Sequence, residues 1–370
     1  MRIQEVVNAI VDYYFMISDI EEASDRYGIF LYGKQGIGKS EGIKQASKEI
    51  AKKLDKEWIE YTTNNADKIL ANPDNYFVYI DFRLYEVVPE DLGGYPKETN
   101  GYIRYKPLEW VEIARRCHGI LVLEELTNTS RLDLQANAFK IALDKKSGFT
   151  EFNKGLMVLA TGNTPDVSSI ANTLPKPLVN RWITIEVDIT LDDWKEYMFK
   201  KYGDRFDRRV LAYLYKFKED FIRIPEEETF SNYPTPRTWK QVAILPNLCD
   251  EFIKGLLGEE VGSKYIAFRR VNIPEVEDIL KNPMLFSKAS IDSKYIMSTL
   301  IGSYIREHLN RDKKLIDKIE KLFRELLNER EFLMTIIWML PNDKRLDLAS
   351  MLIKRIPELT DVLASIGDYM

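Results

Sequence analysis

Residues Gly33, Lys34, Gln35, Gly36, Ile37, Gly38, Lys39 and Ser40 have the types and spacing of a phosphate cradle, the pattern G-x-x-x-x-G-K-[ST]. The glycines let the backbone wrap a polyphosphate and turn its N–H groups inward. Lys39 adds positive charge at the terminal phosphates, and Ser40 supplies a hydroxyl for Mg²⁺. The apolar run Ile29–Tyr32 precedes the loop and a polar-apolar helical pattern from Glu41 to Leu54 follows it. A strand therefore feeds the loop, and a helix leaves it with its positive N-terminus toward the anion. Gly33, Gly36, Ile37, Gly38, Lys39 and Ser40 are expected to hold a nucleotide.

A second constellation lies at residues 120–126, Ile-Leu-Val-Leu-Glu-Glu-Leu. Two adjacent carboxylates at the end of a buried apolar strand are costly unless paired or bound to a cation. Beside a phosphate loop, Mg²⁺ and a water supply the reason. Glu124 is expected to hold the metal through its water shell, and Glu125 to polarise the attacking water. Asn163 ends the run Leu-Ala-Thr-Gly-Asn. Arg181 stands at a helix end in residues 173–182, just before a further strand. Arg237 falls in the first turn of a helix that opens within Tyr233–Trp239.

The elements that must position these groups alternate. A helix near Ile3–Met16 precedes strands at 28–32, Tyr76–Phe82, Ile120–Leu123, Leu156–Ala160 and Trp182–Val187. Near-continuous apolar runs suit buried parallel strands, and ligands of such sheets bind at the carboxyl ends. After about residue 190 only helical patterns remain, including Asp192–Lys201, Arg208–Phe221, Ser293–Leu309 and Leu315–Leu327. The expected fold is α/β: a P-loop parallel-sheet nucleotide domain over 1–189, a helical lid over 190–250, and a helical C-terminal extension over 251–370.

The chain has 370 residues and a net charge of -5, so no global basic field recruits nucleic acid. Two cysteines cannot build a disulfide framework, which suits a reducing compartment. Glu5 and Asp12 interrupt the first apolar stretch, against a signal peptide, and no uncharged run is long enough to span a bilayer. These features lead us to expect a cytoplasmic protein. Charged residues make up 30% of the chain, a lean toward a thermophilic source. His118 and His308 lack a second ligand at zinc spacing, and Tyr13, Tyr14 and Phe15 read as core.

The order GKQGIGKS, LVLEELTN, LATGN, PLVNRW and TPRTW resembles that of the AAA+ ATPases, and within them the MoxR-like branch. Residues 89–105 look like the β-hairpin insertion of that branch, spanning about 86–107 here. The resemblance covers roughly residues 1–245. It implies that Asn163 orients the water near the γ-phosphate, that Arg181 is a finger reaching a neighbouring subunit's nucleotide, and that Arg237 contacts the phosphates from the lid. It further implies ATP and Mg²⁺ as cofactors, a homo-oligomeric ring, typically a hexamer, and remodelling of a protein partner, often alongside a von Willebrand A-type domain. Tyr95, Tyr102 and Tyr105 fall where ring ATPases place substrate-gripping loops. A packed structural hairpin is the other reading. One position departs from the pattern. The metal-side Asp of the family is Glu124, one methylene longer, which leads us to expect retained binding and modest turnover. Two alternatives stay open: a nucleotide-gated assembly module with little hydrolysis, and a nucleic-acid-directed motor. Acidic pI and the lack of a helix-turn-helix or zinc signature weigh against the second.

Overall fold

The computed structural model describes residues 1–86, 88–128, 132–164, 179–225, 230–309, 312 and 314–360. The chain divides into two compact units, Met1–Asp193 and Trp194–Met370.

In the first unit the strands are β1 (Gly28–Gly33), β2 (Glu57–Glu60), β3 (Tyr76–Arg83), β4 (Tyr95–Thr99), β5 (Tyr102–Lys106), β6 (His118–Glu124), β7 (Lys146–Ser147), β8 (Thr150–Glu151), β9 (Leu156–Asn163) and β10 (Trp182–Glu186). Six of them form one sheet in the order β10-β1-β9-β6-β3-β2, and every neighbouring pair in it is parallel. The helices of this unit include α1 (Ile3–Ile17), α2 (Lys39–Lys53), α3 (Ala66–Ala71), α4 (Pro89–Gly93), α5 (Glu109–Arg116) and α6 (Leu132–Asp144). The parallel α/β class expected from the sequence is the observed one, with a helical region after it.

The central strands read as apolar because both of their faces are covered. Ile120, Leu121, Val122 and Leu123 of β6 are fully buried, as are Val158, Leu159 and Ala160 of β9. Strand β2 went unrecognised in the sequence. Its residues are Glu-Trp-Ile-Glu, it is only four residues long, and among the described residues it pairs on one side alone, with β3. An edge strand needs no apolar run, so its pattern is weak. In α1, Val6, Val7, Ile10, Val11, Tyr14 and Ile17 are buried at helical spacing. Tyr14 is core, as read, and its hydroxyl donates to Gly155 O at 2.8 Å.

Between β3 and α5 the chain makes a separate antiparallel ribbon of β4 and β5. Its turn is Asn100-Gly101, with φ of 55° and 77°. That Asn-Gly pair matches the twist of a two-residue hairpin. A second small hairpin joins β7 to β8.

The second unit is helical. Tyr213 on Arg209–Lys216 meets Trp239 on Pro236–Ile244 at 5.4 Å between ring centroids. It also meets Tyr265 and Phe268, both on Glu259–Arg269, at 5.3 and 5.5 Å. Residues from 190–250 and from 251–370 thus share one aromatic core. Among the described residues no helix is long and apolar enough to cross a membrane.

Candidate functional site

Parallel registry brings three strand ends to one edge of the sheet. Gly33, the last residue of β1, pairs with Asn163, the last of β9. Leu123, one residue before the end of β6, pairs with Ala160. The phosphate loop, the two carboxylates and Asn163 therefore share the carboxyl edge.

Local sterics dictate the loop's glycines. A Cβ on Gly33 would come within 2.4 Å of Val187 O. Gly38, at φ 98°, occupies the N-cap of α2 in a left-handed conformation that costs other residues about 1–2 kcal/mol. Ile37 is 1% exposed. Its side chain anchors the loop in the core, so only its backbone can serve a ligand. Lys39 is the first residue of α2 and is buried. Its Nζ donates to Gly33 O at 2.9 Å, to Lys34 O at 2.8 Å and to Asn163 Oδ1 at 3.3 Å. The ammonium is thus held at the centre of the loop by carbonyl oxygens, neutral acceptors that an anionic phosphate would outcompete.

The carboxylate Glu124 is buried and within hydrogen-bond reach of two hydroxyls. Thr161 Oγ1 donates to its Oε2, and Ser40 also hydrogen-bonds it. Burial pushes the Glu124 carboxyl above the usual range, and the bonds from Thr161 and Ser40 oppose that shift. Its Oε1 is buried with no donor among the described residues. A buried acceptor left unsatisfied calls for a missing partner, and a cation beside Ser40 and Glu124 would supply it. The donor set fits Mg²⁺, which takes few protein oxygens and relies on water and phosphate for the rest. Among the described residues no cluster of three or more His, Cys, Asp or Glu could form an all-protein cage.

Glu125 has a φ of 58°, unusual for a residue with a side chain. Three bonds hold it there. Its N–H donates to Thr161 Oγ1 at 3.1 Å, its carbonyl accepts from Asn128 N at 2.8 Å, and its Oε2 accepts from Asn128 Nδ2 at 3.0 Å. Asn163 N donates to Thr127 Oγ1 at 2.9 Å. Thr161, Thr127 and Asn128 are site residues that the sequence reading did not single out, although all three lie within the quoted motifs. The available signal was strand period. Thr161 and Asn163 are two apart on β9 and so share a face, and a polar Thr in an apolar buried strand needs a partner.

Lys39, Ser40, Glu124 and Asn163 come together, with Glu125 beside them. Arg181 does not join this cluster. It immediately precedes β10, and its guanidinium carbon lies 6.0 Å from the ring centroid of Phe139 on α6. Residues 165–178, which include the start of the motif before Arg181, lie outside the described residues. Arg237 belongs to the second unit. It is exposed in the first turn of Pro236–Ile244, whose N-cap Thr235 Oγ1 accepts from Thr238 N at 3.2 Å. The histidines have packing roles. His118 Nδ1 lies 3.3 Å from Tyr14 Oη, and the His308 ring stacks on Tyr304 at 4.2 Å.

No protein-family model matches the chain, and no curated protein matches it. Among solved structures it is similar to C. elegans PCH-2, at 14% identity over 83% of this chain and 68% of that one, with a TM-score of 0.30. It is also similar to AMPPCP-bound DnaA from Aquifex aeolicus, at 12% identity over 92% of each chain, with a TM-score of 0.34. Both share little sequence with this chain, and its fold class rests on its own elements: a parallel six-stranded sheet followed by a helical region.

Proposed function

We propose that the chain is a Mg²⁺-dependent ATP hydrolase of the MoxR-like AAA+ kind, working as a ring on a protein partner. The observation that carries the ATPase reading is the convergence of Lys39, Ser40, Glu124 and Asn163 on one sheet edge. The ring and the protein partner come from the resemblance of the ordered motifs.

In this reading the loop amides from Gly33 to Ser40 bind the phosphates, and Lys39 exchanges its carbonyl partners for phosphate oxygens. Ser40 and Glu124 are the residues that would hold Mg²⁺. When bound, Mg²⁺ supplies neutralisation of the phosphate charge that develops during transfer. Glu125 accepts the proton of the attacking water, and Asn163 orients that water. Thr161 fixes both carboxylates, donating to Glu124 and accepting from the Glu125 amide. The resemblance gives Arg181 of one subunit a role at the nucleotide of its neighbour, and gives Arg237 a contact with the phosphates.

The test is steady-state ATP hydrolysis by the assembled wild-type chain and by Glu125→Gln, with calorimetry for ATP binding. Wild type should hydrolyse well above background. Glu125→Gln should bind ATP with similar affinity and lose about a hundredfold or more in rate, about 2.7 kcal/mol of barrier. A wild type that binds ATP, assembles and shows no turnover would replace this reading with that of a nucleotide-gated assembly module.

A further inference from the structure

Among the described residues the ribbon of β4 and β5 is paired with no other strand, and nearly every residue in it is exposed. Alternation along each strand sorts its side chains onto two faces. One face carries Tyr95, Lys97 and Thr99 from β4 and Tyr102, Arg104 and Lys106 from β5. It has three cations and no carboxylate. The other carries Pro96 and Glu98 from β4 and Ile103 and Tyr105 from β5, and the Tyr105 ring lies 5.8 Å from that of Phe149 at the β7–β8 turn.

Two details of the first face need a reason. Lys97 and Arg104 stand directly opposite each other, and like charges in that position destabilise a hairpin. Among the described residues no carboxylate forms an ion pair with either of them or with Lys106. Asp91 meets this face at Tyr95, whose hydroxyl donates to its Oδ1 at 3.4 Å, and forms no ion pair with the three cations. The ribbon also has one usable open edge. Strand β4 contains Pro96, which has no N–H to donate. Among the described residues no strand pairs with the outer edge of β5, which leaves it open to an added strand.

We propose that this ribbon docks an extended acidic segment of a protein partner, added along β5, with carboxylates at alternate positions facing Arg104 and Lys106. Alternate residues of an extended peptide lie about 6.8 Å apart, the same as alternate residues of β5. Register and charge therefore match together, and the incoming carboxylates relieve the Lys97–Arg104 repulsion. Nucleic acid offers the negative charge but no backbone to pair with the edge. The inference rests on the reading of the chain as acting on a protein partner, and it names the chemistry of that partner.

The test uses the full chain without nucleotide and a short fluorescent peptide alternating Glu and Val, followed by anisotropy. An alternating Lys and Val peptide and oligo-dT are run beside it. Wild type should bind the Glu–Val peptide saturably and prefer it to both others. Lys97→Glu with Arg104→Glu should weaken that binding by about tenfold or more and shift preference to the Lys–Val peptide, while ATP hydrolysis stays unchanged. If the double variant loses its fold by circular dichroism, Arg104→Gln reads the same contact and should weaken binding several-fold. The proposal is overturned if wild type shows no saturable peptide binding, if neither variant changes it, or if oligo-dT binds more tightly than the peptide to the same residues. Wild type that hydrolyses ATP without binding peptide would overturn this inference alone. Wild type that binds peptide without hydrolysis would overturn the ATPase reading alone.

Discussion

Replacing Thr161 by Val tests the site at its least visible point. The side chain is 2% exposed, and Val keeps its shape while removing the hydroxyl. Two bonds are lost: the one Thr161 Oγ1 donates to Glu124 and the one it accepts from Glu125 N at 3.1 Å. A bond to a charged partner contributes about 1.5–3 kcal/mol, and a buried N–H left unsatisfied costs about 1–3 kcal/mol. The Glu125 backbone, at φ 58°, also loses one of the contacts that hold it in an unfavourable region. Allowing for relaxation, the loss should come to about 2–4 kcal/mol, visible as a melting temperature lowered by several degrees. Glu125 would no longer be fixed, and turnover should fall by about ten- to a hundredfold, or about 1.4–2.7 kcal/mol of barrier. ATP affinity, carried by the loop, should change little. The assays are thermal unfolding, steady-state hydrolysis and calorimetry on Thr161→Val and Thr161→Ser. The serine variant keeps the hydroxyl and should recover most of the rate. Equal impairment of the two variants would assign the effect to the lost methyl packing. A Thr161→Val protein as stable and as active as wild type would refute the reasoning.

Further expectations concern the other site residues. Lys39→Ala removes a charge-assisted contact worth about 1.5–3 kcal/mol, so ATP affinity by calorimetry should drop at least several-fold with the fold retained; unchanged affinity would place the nucleotide elsewhere. Glu124→Asp restores the shorter carboxylate of the resembled family and should raise turnover with little change in ATP affinity. A fall in rate would mean the site is built around the longer side chain that reaches Thr161 and Ser40. Arg181→Ala should bind ATP nearly normally and hydrolyse it slowly, since a finger acts on charge that develops in the transition state. Mixing Arg181→Ala with Lys39→Ala subunits should return part of the activity; exchange of subunits with no return at any ratio would make Arg181 a residue acting within its own subunit.

What could be read from the sequence was local or periodic. Gly33–Ser40 could be read because a polyphosphate cradle needs fixed residue types at fixed spacing. The strands around Leu31, Val122 and Leu159 could be read because strands covered on both faces carry uninterrupted apolar runs. The hairpin was expected from the resemblance of residues 89–105, and the local reason it forms is the Asn100-Gly101 turn. Other features exist only through neighbours distant in the chain. Strand β2 is a strand because β3 pairs with it, and its four residues carry no pattern strong enough to announce that. Thr161 acquired its role from Glu124 and Glu125, 37 and 36 residues away, through parallel registry that no single segment encodes. The buried, donorless Oε1 of Glu124 likewise follows from how β6, β9 and α2 converge. Residue spelling determines which chemistry is available, whereas sheet order and registry determine which polar atoms meet, because hydrogen bonds act only over about 3 Å and the chain must fold to bring them that close.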